Sequence, residues 1–440
     1  MKKRYLLILT VIITICILPT NPVNAQSDIP GGPFDSSISV QNISDVGANV
    51  VIYFYNSSGV MQLESDPIYI EVNSSITVYS SQQNLPQGEY SVVISSSQPV
   101  AAMSTLGDSD SIAAYSAFDE GYTSWFIPSL YNDYHTYYSE IYAQNTSGAP
   151  VDITLDIFKP GDSTPIKTIT ETDVPNYSSA HFGQIGLVEL YKNVPYSGRI
   201  TAEGNVAVIT NIYGSGATDQ QLYSLNGFQN GANIYFTPVI CNNYYNWNSA
   251  ITVQNVDETT ASFTVTYNNT YSKNYQVLPN SLALIYIPNE TYLPKGLLSA
   301  QITSDKLVAV TVNQSNNYNR ASTYNGITSA TDTVNAPLVM KKYNNFSSSI
   351  TCQNLGDSPT EITATFSNGF VKESGSIGVG TNWLIYMPNE TEIPDGFDGG
   401  VNLVSSNGQP IACIINSNME FPPYNTMMMD QMHSYNATNQ

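Results

Sequence analysis

Apolar and polar residues alternate with a period of two along most of this chain. Runs such as VDITLDIF (151–158) and ASFTVTY (261–267) put every second side chain on one face, as half-buried strands do, and β-branched and aromatic residues fill them. Gly, Pro, Asn, Asp and Ser separate the runs, and no long amphipathic helical period interrupts them. The pattern predicts an all-β protein.

One nine-residue pattern recurs four times: Phe34 to Asn42, Tyr137 to Asn145, Trp247 to Asn255 and Phe346 to Asn354. Each copy reads aromatic, any residue, Ser, any residue, Ile, any residue, Val/Ala/Cys, Gln, Asn. Sixteen residues ahead of the Gln, three copies carry a proline in a strand-like segment: Pro128, Pro238 and Pro337. Two near-identical stretches, SLALIYIPNETYLPKG and TNWLIYMPNETEIPDG, follow in copies three and four, and read as strand, Pro/Gly turn, strand. Units of about 100 residues with short strands and regular turns predict four tandem immunoglobulin-like β-sandwich repeats. Their bounds are 26–125, 126–235, 236–334 and 335–440, behind a signal peptide at 1–25. Without Gly/Ser linkers, such repeats are expected to stack as a stiff rod.

Strand parity assigns roles within the pattern. Trp247, Ser249, Ile251 and Val253 share the core face, while Asn248, Ala250, Thr252 and Gln254 point away. Asn255 sits where a loop begins and suits an Asx turn. Recurrence in every copy favours a framework role for the Gln–Asn pair over the other reading, in which the outward Gln meets a ligand or a neighbouring unit.

The N-terminus carries Lys2, Lys3 and Arg4, an apolar run from Tyr5 to Pro19 and a small-residue site at Val23-Asn24-Ala25, the layout of a secretory leader. The mature chain is expected to start near Gln26, outside the cell and without membrane insertion. A net charge of −21 with only 14 Lys+Arg argues against nucleic acid as a partner. Cys241, Cys352 and Cys413 remain after cleavage. Aligning PIACII with PVAAM, NVAVI and LVAVT sets Cys352 and Cys413 at small apolar core positions, so a disulfide between them is expected, closing a loop of about 60 residues; Cys241 is left over.

Candidate chemistry is sparse. His135, His181 and His433 lie in separate units and read as surface or loop residues, and no catalytic constellation emerges. Asp108 with Asp110, or Asp395 with Asp398, can be read as calcium ligands or as solvated loop acids. Eleven N-x-S/T sequons occur in the mature chain; Asn289 and Asn389 stand out as glycosylation candidates because both lie in the repeated PNET turn. Tyr-rich loops precede three signatures, and Tyr134, Tyr244 and Tyr245 are candidate glycan contacts, since rings pack on sugar faces while neighbouring amides bond hydroxyls. Copy one lacks a proline strand. That absence suggests an open sheet edge and head-to-tail assembly into filaments, with a terminal segment including Asn425, Met428, Met432 and Tyr435 completing the first unit of the next subunit.

The stretches APLVMKKYNNFSSSITCQN and TPVICNNYYNWNSAITVQN resemble exported bacterial and archaeal surface proteins built from tandem P-L-V…W-N-S-x-I-x-V-Q-N units. The resemblance implies cell-surface location and β-sandwich repeats but no assigned activity, and copies one and two depart from it. The resulting expectation is a non-enzymatic extracellular structural or adhesive protein that associates with itself or with other surface proteins. An extracellular carbohydrate-binding module for polysaccharide is the alternative.

Overall fold

The computed structural model describes residues 11–13, 29, 32–214, 221–316, 320–420 and 430–439. Among them every regular element is a β-strand or a three-residue 3-10 turn, and all ladders are antiparallel. The strands fall into four consecutive sections, each with one signature strand: Asp35–Asn42, Tyr137–Asn145, Trp247–Asn255 and Phe346–Asn354. Each pairs with a following V-A strand, so that Val40 faces Ala102, Ala143 faces Val208, Val253 faces Val310 and Cys352 faces Cys413. In the second and third sections the V-A strand is continuous with the one before it, giving single strands Tyr196–Gly214 and Gly296–Asn316 that bridge both layers.

The proline strands Tyr122–Leu130, Ala232–Asn242 and Thr333–Lys341 lead their sections; the third is flanked on its outer side by the two-residue strand Thr438–Asn439. Each ladder slips just after the proline, which has no N–H to donate. In two sections a buried tyrosine mends the gap: Tyr324 takes the Val239 N–H at 3.2 Å and donates to Val239 O at 2.7 Å. Tyr435 does the same for Leu338 at 3.1 and 2.6 Å.

The signature asparagines are buried hubs of the loops that follow them. Asn255 donates to Thr259 O at 2.7 Å and Val277 O at 3.1 Å and accepts from Asp257 N at 2.9 Å. Asn42, Asn145 and Asn354 make the same three contacts. Truncating Asn255 to alanine strands two carbonyls and one N–H in the interior, and is expected to cost about 3 kcal/mol. A denaturant titration of Asn255→Ala checks this. Asn42 and Asn145, both sequons, are fully buried and unavailable to a glycosyltransferase in the folded chain.

The rod expected from the sequence gives way to a closed ring. The four last strands of the sections, Ile112–Ser116, Leu222–Asn226, Ala321–Asn325 and Met432–Asn436, surround a common axis. A cycle of hydrogen bonds links their ends. Asn226 Nδ2 donates to Ser116 O, Asn325 Nδ2 to Asn226 O and Asn436 Nδ2 to Asn325 O, all at 2.7 Å, and Ser116 Oγ donates to Asn436 O at 2.9 Å. At the other end of the axis Asp430 joins the remaining three strands. Its carboxylate accepts from Leu222 N at 3.0 Å and Ala321 N at 2.7 Å, and its carbonyl accepts from Ile112 N at 3.0 Å. Burial is the physical reason for closure: a rod would expose apolar side chains that the ring buries between sections, such as Leu225 with Ala321 and Ala114 against the fourth section's core.

Closure also corrects the parity argument. Thr252 and Gln254 point away from their own core yet are buried, because the preceding section covers that face. Gln254 Nε2 reaches Gly198 O of the second section at 3.5 Å, and Gln353 Nε2 reaches Ala300 O of the third at 3.4 Å. Gln254 and Gln353 therefore meet the neighbouring section, whereas Gln144 Nε2 donates to Tyr177 O of its own at 3.4 Å. Met432 and Tyr435, both 2% exposed, belong to the chain's own axial strand rather than to a segment free to complete another subunit. Asn425 and Met428 lie outside the described residues.

Candidate functional site

Signature strands start beside the ends of V-A strands: Tyr137 opposite Gly214, Trp247 opposite Asn316, Phe346 opposite Met419. The Tyr-rich hairpins are thereby gathered on one face of the ring, at the ends of the V-A strands. Each hairpin closes on an aromatic or tyrosine pair, Tyr134 with Tyr137, Tyr244 with Trp247 and Tyr343 with Phe346. The two residues at each tip have positive φ: His135 at 51° and Thr136 at 73°, Tyr245 at 47° and Asn246 at 68°, Asn344 at 47° and Asn345 at 66°. This is the type I′ geometry that glycine and asparagine favour; a histidine, a β-branched threonine and a tyrosine there cost backbone strain. Tyr245 is 81% exposed, so neither packing nor glycine-like freedom accounts for its place.

Beside this tip a cleft of about 620 Å³ opens between the third and fourth sections. Tyr244, Trp247 and Tyr386 supply rings, and Gln314, Asn316 and Asn389 supply amides. Asn418 Oδ1 and Glu420 Oε1, from residues on the same wall, are buried without hydrogen-bond partners. The matching junction between the second and third sections is filled instead. There Tyr134 stacks on Tyr131 at 5.0 Å, within a cluster containing Tyr223, Leu225 and Ala321. Between the fourth and first sections Tyr343 OH meets Tyr79 OH at 3.2 Å. Of the three glycan candidates, Tyr244 and Tyr245 thus share an open cleft, while Tyr134 packs at a closed junction.

The other candidates fall into place individually. Cys352 and Cys413 are joined, with Cα atoms 4.1 Å apart, and Cys241 is a buried thiol whose pKa burial pushes up to about 12. Asn289 and Asn389 are exposed. The PNET glutamates beside them are buried and paired, Glu290 with Lys273 and Glu390 with Lys372, each at 2.7 Å, which gives the motif a structural basis. Asp108 caps its own turn, accepting from Asp110 N, Ser111 N and Gly32 N, and Asp395 pairs with Lys342 at 2.8 Å. Both carboxylates are therefore occupied by the chain itself. Asp398 is exposed, and the partial desolvation it meets raises its pKa. His135 is exposed, but the reading of all three histidines as surface residues fails. His433 is 1% exposed, and burial lowers its pKa to about 4.

His181 belongs to a polar cluster that motif reading missed. It stacks on Tyr142 at 4.6 Å and approaches Glu140 Oε2 at 3.6 Å; Tyr142 OH donates to the same oxygen at 3.0 Å. Glu89, reaching in from the first section, has its pKa raised to about 7, mainly by burial; the Glu140 charge adds to the rise and His181 opposes it. The aligned positions supply the missed signal. Glu140 and Tyr142 stand where the other signatures have Ser37 and Ser39, Ala250 and Thr252, or Ser349 and Thr351.

A carboxyl with a raised folded pKa binds more protons in the folded state than in the unfolded one, between its ordinary value of 4.5 and about 7. It therefore lowers stability as pH rises through that window. Glu89→Gln is expected to be neutral below about pH 4.5 and stabilising by roughly 2 kcal/mol above pH 7. Melting temperatures of both proteins across this range check the sign.

No family model matches the chain, and no curated protein matches it. Among solved structures, a Thermotoga maritima protein is similar over 22% of this chain and 96% of its own, at 17% identity and a TM-score of 0.19. A tetra-tandem repeat from the extending region of a large adhesion protein covers 91% of this chain and 93% of its own at 12% identity, with a TM-score of 0.12. The major pilin of Streptococcus pyogenes covers 56% and 97% at 11% identity, with a TM-score of 0.11. Scores this low leave function to the chain's own geometry. No helix among the described residues is long and apolar enough to cross a membrane.

Proposed function

We propose that this chain is an exported, non-enzymatic structural and adhesive protein of the cell surface, a ring of β-sandwich sections that meets its partners through the hairpin face. The observation that carries the reading is the set of I′ hairpins on one face, with Tyr245 held exposed in a strained tip beside the open cleft. Strain retained at an exposed aromatic supports contact with something outside the chain. The disulfide, the buried seam and the leader read from the sequence support an extracellular scaffold.

A second reading, a carbohydrate-binding module, draws on the same cleft, whose rings and amides suit apolar sugar faces and hydroxyls. Retention on immobilised polysaccharides and on intact cells separates the two. Tyr245→Ala is expected to weaken cell binding about tenfold without changing the melting temperature, since Tyr245 is 81% exposed, whereas Tyr244 packs on the third section's core. Unchanged binding to cells would sink the adhesive role of this face. Polysaccharide retention lost with the same substitution would favour the module.

A further inference from the structure

Among the described residues the first section has no proline strand, and the place that strand would fill is held by the leader. Val11–Ile13 pairs antiparallel with the Tyr90–Ser96 strand, Ile13 opposite Tyr90 and Val11 opposite Val92. Phe54, Tyr267 and Phe366 face Val92, Ala300 and Val401, so Tyr90 corresponds to Leu298 and Gly399. Those two residues face Ile240 and Val339 of the proline strands. The leader therefore occupies the proline-strand register.

Three intact sections define the chemistry of that strand. Four residues after its proline stands Asn132, Asn242 or Lys341, and each donates to two carbonyls of the adjoining turn. Asn132 reaches Leu187 O and Leu190 O, Asn242 reaches Leu293 O and Pro294 O, and Lys341 reaches Glu390 O and Ile393 O. Asn242 and Lys341 sit opposite Gly296 and Phe397, which correspond to Gly88 of the first section. Next to Gly88 is Glu89, whose Oε1 is buried without a hydrogen-bond partner, and facing it is the fully buried Glu140. Gln144 Oε1, on the same signature strand as Glu140, is also buried and unpartnered. Glu89 lies on the opposite face from a residue paired with Gly88: its counterparts Leu297 and Asp398 pair with Cys241 and Met340, so the residue four after the proline is aimed at the carbonyls of the adjoining turn and not at this carboxylate.

We propose that, with the leader removed, the outer edge of the Tyr90–Ser96 strand binds an extended strand of a second polypeptide. That strand is apolar along its length, has a proline near its middle and carries a lysine four positions later. Main-chain pairing supplies affinity, and the lysine, aimed as Lys341 is at the carbonyls of the adjoining turn, supplies selectivity. The inference rests on the exported, leader-free form of the proposed function but not on its hairpin face.

The test uses residues 26–440 and a fluorescent peptide of residues 333–343, TVNAPLVMKKY. Saturable one-to-one binding is expected by anisotropy, weakened about tenfold by Lys341→Ala in the peptide. Amide exchange at Tyr90 to Val92 should slow on binding, and the leader-bearing precursor should bind poorly because its edge is taken. Absence of saturable binding overturns the proposal. So does protection confined to the fourth section, which would mean that the peptide replaces the chain's own Thr333–Lys341 strand. The intact mass of the secreted protein separately reports whether the leader is lost, so failure of the export reading is distinguishable from failure of the acceptor site.

Discussion

Asp430→Ala is expected to open the ring. The side chain is fully buried, and its two oxygens take the first N–H groups of the Leu222–Asn226 and Ala321–Asn325 strands. Alanine leaves both donors desolvated and unpaired at about 1–3 kcal/mol each, partly offset because a carboxyl whose pKa burial has driven far up no longer has to be desolvated. A net loss of about 3 kcal/mol is expected. It should fall on the axial seam, because each section keeps its own core. Calorimetry should show an early transition, and small-angle scattering just above it should show a larger radius of gyration with strand content preserved. A uniform downward shift of a single transition would mean that the seam and the cores unfold together. Asp430→Asn, which keeps one acceptor, should lose about half as much.

Removing the disulfide is the second large effect. Cys352 and Cys413 face each other across the fourth signature ladder, where the third section has Val253 opposite Val310. Cys352→Val with Cys413→Val keeps an apolar pair and deletes only the cross-link. With the cysteines 61 positions apart, the released chain entropy of the unfolded state corresponds to about 4 kcal/mol. The variant should lose about that much in denaturant titrations. Reductant should destabilise the parent protein by the same amount and leave the variant unmoved. Equal sensitivity of both proteins to reductant would assign the effect elsewhere.

Legibility differed sharply between local and distant features. Alternating runs revealed the strands because one face of each is buried within its own section, and the Pro128, Pro238 and Pro337 spacing marked the strands that lead their sections. The signature asparagine was readable as a loop cap because its contacts, such as Asn255 with Thr259, lie a few residues away. The glutamines Gln254 and Gln353 were not, since each reaches another section, as Gln254 does at Gly198. The polar cycle through Ser116, Asn226, Asn325 and Asn436 left no trace at fixed distance from each V-A strand: its members lie 14, 18, 15 and 23 residues beyond Ala102, Val208, Val310 and Cys413, and three isolated asparagines and a serine carry no sign that they meet.

By itself the sequence determined the all-β class, the recurring strands, the strand prolines and the facing of Cys352 and Cys413, because period-two burial and register act within a single section. Only the tertiary structure decided that the sections close on themselves. That choice depends on burying apolar side chains between sections, such as Leu225 with Ala321, on pairing polar groups along a shared axis, Asp430 above all, and on covering outward faces such as Thr252 and Gln254, and these energies arise between residues far apart in the chain. Closure in turn decided which tyrosines were consumed at junctions, which stayed open at the cleft, and why Glu140 and Tyr142 stand where no described proline strand of the chain arrives.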